Sequence, residues 1–420
     1  MNFSESESYL YSLGNEVEAM KLGLENIRTL LASLGNPHEK YKKVQVAGTN
    51  GKGSVCAFLD SICRQAKIKT GLYTSPHLVS ITERVRIGGC DISETEFARL
   101  ATRVRETAEN LLADGELGYT PTYFEQVTAI GLLAFAEAGV ELAILETGLG
   151  GRLDATTAAN AEIAAITQIA LDHQEYLGGT IEEITAEKAA IIREQTEAAV
   201  IGRQSPAVMN VLHSIIGEAH ARGVFVRETA VVFDDSSLGM PLRALVRDLG
   251  LKGSHQFHNA EVSILLADTL RKYFPITDEH IRRGLAAASH PGRLEYIGNY
   301  LLDGAHNVAG AKALIEFLTY VEKRPLTMIF AAMHGKDVGN ISKILWPRAD
   351  TLILTQPLNS RAMTAEELSA FLPENMDRGR AFLTHSIDEA LALTASSDLV
   401  LITGSLYLIG EARRILLSRI

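Results

Sequence analysis

Val46 to Ser54 reads V-A-G-T-N-G-K-G-S, a run of small residues broken by one lysine. Gly48, Gly51 and Gly53 let backbone N–H groups crowd around anionic oxygens, Lys52 can neutralise phosphate, and Ser54 can reach a magnesium ion. Such a cradle needs a strand to deliver it and a helix to follow it, so that unpaired donors and the positive dipole end face the anion. Both flanks fit. Val44–Ala47 is short, apolar and β-prone, and Val55, Phe58, Leu59, Ile62 and Cys63 recur at helical spacing through Val55–Ala66. The run departs from G-x-x-x-x-G-K-[ST], because Val46 stands at the first glycine position and Gly53 directly follows the lysine. It reads as a variant phosphate loop; the rival reading, a chance run in an ordinary loop, leaves the two flanks unexplained.

Three further segments are apolar strands that end on polar side chains. Lys69–Thr74 leads to Ser75-Pro76-His77-Leu78, Glu141–Leu145 to Glu146 and the glycines Gly148, Gly150 and Gly151, and Ile163–Ile169 to Asp172 and His173. In an open parallel sheet the carboxyl ends of the strands share one edge, and ligands bind outside it. Ser54, Ser75, Glu146 and His173 are therefore expected to converge. Hard oxygens and one imidazole beside a phosphate loop suit magnesium, or manganese given the histidine. Taken alone, His173 reads as a hydrogen-bonded loop residue rather than a ligand, and only beside Glu146 do the two readings balance; Lys188, in the helical stretch Glu182–Ile192, reads alone as a solvated or snorkelling side chain.

The elements that must position these residues follow from periodicity. Tyr9–Leu34 reads as a helix through Leu10, Leu13, Val17, Met20, Leu24, Ile27 and Leu31, although Gly14 and Gly23 interrupt the pattern, and Gly35-Asn36-Pro37 ends it. Phe124–Ala138 supplies a crossover helix with Val127, Ile130, Leu133, Ala134 and Ala138 toward the sheet. Ala198–Leu251 alternates short apolar runs with turns and suggests small strands; H-Q-F-H-N-A-E at His255–Glu261 opens a strong helix. The turn in S-H-P-G-R-L-E at Ser289–Glu295 marks a domain boundary, giving domains 1–290 and 291–420. Beyond it, strands at Tyr300–Leu302, Leu326–Ala331, Asp350–Thr355 and Asp398–Thr403 alternate with helices. The expected fold is α/β throughout: a P-loop ATPase-type doubly wound domain with a small extra β region, then a smaller Rossmann-like α/β domain.

Composition agrees. A chain of 420 residues exceeds one typical core. A net charge of −11 argues against nucleic acid or an anionic membrane surface as partner, so an anionic substrate must be held by local positive groups. Cys56 and Cys63 fall on the apolar side of the helix after the loop and read as buried thiols. The first residues show no basic start or apolar core of a leader, and no run is long enough to span a bilayer. A reducing, cytoplasmic location and a monomer are expected.

The motifs together carry a resemblance. V-A-G-T-N-G-K-G-S at 46, T-S-P-H-L at 74, L-E-T-G-L-G-G-R-L-D-A-T at 145, L-D-H-Q-E-Y-L-G at 171, E-K-A-A-I at 187, H-P-G-R-L-E at 290, L-D-G-A-H-N at 302 and T-G-S-L-Y-L-I-G-E-A-R at 403 resemble the folylpolyglutamate synthase and dihydrofolate synthase family, within the Mur ligases. The resemblance implies an ATP-dependent ligase that joins L-glutamate to dihydropteroate or to reduced folates through an acyl phosphate. It implies that Asn50, Gly51, Lys52 and Gly53 hold the phosphates, with Asn259 facing the adenine and Arg293 and Asp303 reaching ATP from the second domain, which would have to close. Ser54, Ser75, Glu146 and His173 would hold Mg2+, in one or two ions, with Lys52, His173 and Lys188 as catalytic groups. Thr122, Tyr123, Phe124 and Glu125, with Leu153, Asp154 and Ala155, would surround the pterin; Phe124 would stack on the ring or simply pack in the core, and Asp154 would accept from the amino groups. Leu22–Glu25 is a weaker candidate for the same site.

Lys188 matches a lysine that is carbamylated in the family. An unmodified ammonium 4 Å from a cation would be repelled by roughly 4 kcal/mol per pair of unit charges at an effective dielectric of 20, whereas a carbamate is an anion that orients the metal. The chain departs from the family pattern at Thr157, where asparagine is usual, and in having L-D-H-Q and E-K-A-A for L-D-H-T and E-K-A-G. Each leaves the proposed ligands in place, and together they bear on substrate detail, chiefly in the loop after Asp154, rather than on the ATP chemistry. The alternatives are polyglutamylation alone, a nucleotide-binding relative that has lost catalysis, or a cell-wall Mur ligase, for whose amino-terminal domain the residues before Val46 leave no room.

Overall fold

The computed structural model describes residues 1–14, 23–226, 248–320, 325–373, 378–395 and 397–419. The chain divides into two compact units, one made of Met1–Gly250 with Phe257–Ser289, the other of Leu251–Gln256 with His290–Ile420.

In the first unit the α-helices are α1 (Phe3–Ser12), α2 (Glu25–Ser33), α3 (Lys52–Gln65), α4 (Glu94–Ala113), α5 (Tyr123–Glu137), α6 (Gln174–Leu177), α7 (Ile181–Ala189), α8 (Pro206–Glu218), α9 (His255–Leu270, belonging to this unit from Phe257 on) and α10 (Asp278–Ala287). The strands are β1 (Lys42–Ala47), β2 (Thr70–Tyr73), β3 (Val85–Ile87), β4 (Cys90–Asp91), β5 (Leu142–Glu146), β6 (Ile163–Ile166), β7 (Ala198–Ile201) and β8 (Arg222–Phe225). They form one sheet in the order β4-β3-β2-β5-β1-β6-β7-β8, parallel from β2 to β8, with β3 and β4 antiparallel at one edge. The central strands are buried on both faces, which is why V-Q-V-A, L-A-I-L and I-A-A-I read as continuous apolar runs rather than alternating ones. Helices α4 and α5 cover one face with a core that includes Phe97, Leu100, Val127, Ile130 and Phe135. Ile184, Ile191, Val208 and Leu212 build a second core with Ile166 and Ile201. Register sets the site: Val46 lies opposite Glu146, Ala47 opposite Ile166, and Tyr73 opposite Leu145.

Two expectations are corrected. Tyr9–Leu34 is not one helix. Helix α1 ends at Ser12, Gly14 and Gly23 adopt positive φ of 96° and 93°, and α2 begins at Glu25. Left-handed backbone cannot continue a right-handed helix. Val17, Met20 and Leu22 lie outside the described residues. The stretch from Ala198 is a β–α–β unit added to the main sheet, not a series of small strands. Ser205-Pro206 starts α8, and Val208, Leu212 and Ile216, four apart, are its buried stripe. Residues 227–247 lie outside the described residues.

The second unit has a six-stranded sheet, order β13-β12-β11-β14-β10-β9, from β9 (Glu295–Ile297), β10 (Tyr300–Asp303), β11 (Leu326–Phe330), β12 (Thr351–Leu354), β13 (Ala381–Leu383) and β14 (Leu399–Thr403). All pair in parallel except β9, which forms an antiparallel hairpin with β10. Trp346 is buried edge-on against Phe330 at 5.5 Å. No helix among the described residues is long and apolar enough to cross a membrane.

Candidate active site

The strand β1 ends at Ala47, and the loop turns through Gly48 (φ 146°) and Gly51 (φ 91°) into α3, which starts at Lys52. Both glycines are required sterically. A Cβ on Gly48 would stand 2.0 Å from Oγ1 of Thr167, and one on Gly51 would stand 2.2 Å from Oδ1 of Asn259. Asn259, early in α9, thus lies directly on the phosphate loop. Lys52 Nζ folds back to donate to the carbonyls of Gly48 and Thr49, at 3.2 and 3.4 Å, which keeps the ammonium over the cradle. Ser54 is buried in the first turn of α3.

Glu146 is buried at the end of β5, the neighbour of β1, and its Oε2 accepts from the Ser75 amide at 3.4 Å. The Ser75 hydroxyl is buried and has no hydrogen-bond partner. The T-S-P-H-L turn is pinned by Glu83, whose carboxylate accepts from the amides of Leu78, Val79 and Ser80 at 2.8, 3.1 and 3.2 Å. The loop leading to His173 is tied to the phosphate loop: Thr49 and Asn50 amides donate to the Gln168 carbonyl at 2.9 and 3.2 Å. His173 itself has positive φ and caps α6. No group of three or more histidine, cysteine, aspartate or glutamate side chains suited to a metal occurs among the described residues. An orphaned serine hydroxyl and a buried carboxylate beside a phosphate cradle nonetheless fit magnesium, which takes few protein oxygens and completes its shell with water and phosphate.

After Glu146 the chain runs through Gly148 and Leu149 into a second feature, a small open cleft. Thr122, Phe124, Glu125, Leu153, Asp154 and Ala155 line it together with Gly23, Leu24, Gly148 and Leu149. Tyr123 does not. One step along α5 turns its ring away, to stack on Tyr11 at 5.8 Å with the Arg84 guanidinium 5.5 Å above it. Phe124 packs edge-on to Tyr73 and occupies the space that a Cβ on Gly148 would need. Thr122 caps α5 in a reciprocal box with Glu125. Burial raises the Glu125 carboxyl above its ordinary pKa, against the pull of N–H groups of Thr122 and Ile27.

Asp154 is held by hydrogen bonds from its own chain. Its Oδ2 accepts from the Gly148 and Leu149 amides at 2.7 and 3.0 Å, and its Oδ1 from the Thr156 amide at 3.0 Å and the Thr156 hydroxyl. Four donors meet this carboxylate, so the chain itself fixes Asp154 in the cleft wall that it lines. Its burial still pushes the carboxyl pKa up. Behind it stands a residue that sequence reasoning passed over: buried Gln45 in β1 donates to the hydroxyls of Thr156 and Thr157 at 2.9 and 2.8 Å, and Thr157 donates to the Gly151 carbonyl at 2.7 Å. The signal was a lone amide in the middle of an apolar strand.

Lys188 is buried in the last turn of α7. The glycine turn packs on that turn: the Arg152 amide donates to the Glu187 carbonyl at 3.0 Å, and a Cβ on Gly151 would lie 2.6 Å from the Lys188 carbonyl oxygen. In the second unit, Asp303 is buried at the end of β10 and accepts from the Leu294 and Ala305 amides at 3.0 and 3.1 Å. Burial raises its pKa, opposed by the Arg293 and His255 charges. Arg293 lies against Gly304, where a Cβ would meet Nη1 at 2.1 Å.

Comparison with known proteins places this arrangement. Residues 46–267 match the Mur ligase middle domain and residues 292–406 the Mur ligase glutamate ligase domain. The chain is a Mur ligase by both halves. It is 34% identical over 434 residues to the dihydrofolate synthase/folylpolyglutamate synthase of Bacillus subtilis, covering 98% of each. It is 35% identical to a probable bifunctional folylpolyglutamate synthase/dihydropteroate synthase of Halobacterium salinarum, of which it spans 51% of the length, about half, as it does of the Haloferax volcanii relative. Mycobacterium tuberculosis folylpolyglutamate synthase complexed with ADP superposes with a TM-score of 0.86 at 31% identity over 99% of this chain and 98% of that one. Escherichia coli FolC in complex with DHPP and ADP gives 0.83 at 29% over 100% and 98%. The chain belongs to the folylpolyglutamate synthase and dihydrofolate synthase family.

Proposed function

We propose that the protein is an ATP-dependent ligase that forms an amide between L-glutamate and the carboxylate of dihydropteroate, and then of reduced folates. The acceptor carboxylate attacks the γ-phosphorus of ATP, ADP leaves, and an acyl phosphate results. The glutamate amine then attacks the acyl carbon, losing a proton as phosphate departs. Activation is needed because a carboxylate has no usable leaving group until its oxygen carries phosphate.

One observation carries the reading: the segment Glu146–Leu149 joins the phosphate cradle to the cleft, with Glu146 beside Ser75 and Gly148 and Leu149 in the cleft wall. An acceptor held there points its carboxylate at the γ-phosphate end of a nucleotide seated on Gly51–Gly53. Lys52 neutralises phosphate charge as it builds, and Asn50 and Asn259 order the loop and the base. Thr122, Phe124 and Glu125 with Leu153 and Ala155 orient the acceptor. Mg2+ held by Ser54, Ser75, Glu146 and His173 would neutralise the phosphoryl oxygens. Arg293 and Asp303 are assigned to the nucleotide. Lys188 is assigned to carbamylation, which would turn a buried cation into an anion able to orient a metal ion.

The test is glutamate-dependent phosphate release from ATP, with dihydropteroate and with reduced monoglutamyl folates in separate reactions, the products weighed by mass spectrometry. Release with both is expected. Release with folates alone reduces the function to polyglutamylation, and silence with both rejects the ligase reading.

A further inference from the structure

Residues 167–172 carry His173 to the sheet edge, yet apart from one bridge between Asn50 and Gln168 they form neither helix nor strand. Their backbone is held from two sides. On the β1 side the Thr167 amide donates to the Ala47 carbonyl at 2.8 Å, and Thr49 uses its hydroxyl twice, donating to the Ala170 carbonyl at 3.0 Å and accepting from the Ala170 amide at 3.1 Å.

On the β7 side the backbone ladder ends where the Gly202 amide donates to the Ile166 carbonyl at 2.9 Å. From there a side chain takes over. Gln204 Nε2 donates to the Thr167 carbonyl at 2.7 Å, and its Oε1 accepts from the Ile169 amide at 3.1 Å. These two bonds bracket Gln168 as the N–H and C=O of one residue of a parallel neighbour would, so the carboxamide lengthens the β6–β7 ladder by one unit. The exit from β7 is itself fixed, because the adjacent Arg203 makes a two-pronged contact with Glu261 of α9 at 3.0 and 2.8 Å.

We infer that Gln204 is a positioning residue for the divalent-metal edge: by closing the ladder around Gln168 it sets where the Asp172–His173 turn stands relative to the phosphate loop. The inference rests on the metal-nucleotide reading given above. Gln204 touches no ligand itself and acts through the backbone that carries one, so its loss is set at about tenfold in metal binding, the low end of what losing a ligand's own hydrogen-bond partner costs. Removing the amide leaves the Thr167 carbonyl and Ile169 N–H without the bonds that hold the turn, while Thr49 still anchors its other side.

The test is a Mn2+ titration of the full-length protein in the presence of ADP, read by the electron paramagnetic resonance of free Mn2+, on wild type and Gln204→Met, a variant of similar length without the amide. Gln204→Met should bind Mn2+ about tenfold more weakly, and lower kcat with the KM for dihydropteroate unchanged. Equal Mn2+ affinity in the two proteins overturns the inference, even if the variant melts at a lower temperature, since that is the mark of a merely structural contact. Failure of the wild type to bind Mn2+ with ADP overturns the underlying reading instead. If Gln204→Met does not fold, Gln204→Glu, which keeps the acceptor for Ile169 and loses the donor for Thr167, is held to the same outcomes.

Discussion

The charge of His77 is decided by its surroundings, and that of Lys188 by the proposed carbamylation. Lys188 is 3% exposed, and as a carbamate it would be an anion at the metal edge. Lys188→Ala is expected to abolish most turnover while the far-ultraviolet circular dichroism spectrum and melting temperature stay near wild type; near-normal activity would end the carbamate role. His77 is held neutral, its pKa lowered to about 3 by burial and by the Arg84 guanidinium, whose Nε donates to Nδ1 at 2.8 Å. The unfolded chain, with an ordinary histidine near 6.5, takes up the proton first as pH falls. His77 therefore withdraws stability between about pH 6.5 and pH 3, by at most about 1.4 kcal/mol per pH unit. Urea unfolding across that range should show a shallower pH dependence in His77→Gln than in wild type. At this scale the sequence was readable where backbone chemistry acts locally, as in the phosphate loop. It was not readable for Asp154, Tyr123, Gln45 or Gln204, because the direction of a side chain is settled by packing partners far away in the chain.

Elements carry these residues to one edge, and close approach between elements is where glycine is indispensable. Gly151 lets the turn after Glu146 lie on the last turn of α7, within 2.6 Å of where a methyl would strike the Lys188 carbonyl. Gly151→Ala should push the end of α7 away and lower kcat more than tenfold, the order of loss that misplacement of a catalytic group by about an ångström produces. Steady-state kinetics at saturating ATP, compared with the KM for ATP, measures this; a KM effect alone would contradict it. Strands β1, β2, β5 and β6 and helices α5 and α7 were legible because fully buried strands are short apolar runs and the two helices are longer periodic ones, whereas α4 and β13 drew no expectation. The break between α1 and α2 was missed because leucine spacing outvoted Gly14, and α8 because its stripe of Val208, Leu212 and Ile216 is narrow enough to resemble short strands.

At the scale of the whole molecule, the proposed function has a chain of net charge −11 binding ATP and folates, all anions. Its long-range field opposes their approach, and only the local cradle attracts them. Raising salt from about 20 to about 150 mM shortens the Debye length to about 8 Å and screens the repulsion first. kcat/KM for the folate should hold or rise over this range at constant free Mg2+. A steep fall would reveal a positive funnel that the charge balance does not suggest. The division into two α/β units was readable from length and from the recurrence of strand–helix alternation after Pro291, whereas the allotment of Leu251–Gln256 to the second unit was not, since no local pattern marks a segment that joins another unit's core.

Helix α3, which begins at the phosphate loop, buries Cys56 and Cys63 completely, while Cys90 on the edge hairpin is exposed. Burial also pushes both inner thiols well above the ordinary cysteine range. The chain thus carries its own clock. A thiol reagent should modify Cys90 at once, and Cys56 and Cys63 only at the rate at which α3 opens, so peptide-resolved alkylation reports how often the nucleotide cradle comes apart. Because a ligand that binds only the closed form suppresses opening, ATP at 100 times its dissociation constant should slow the inner two by about 100-fold and leave Cys90 untouched.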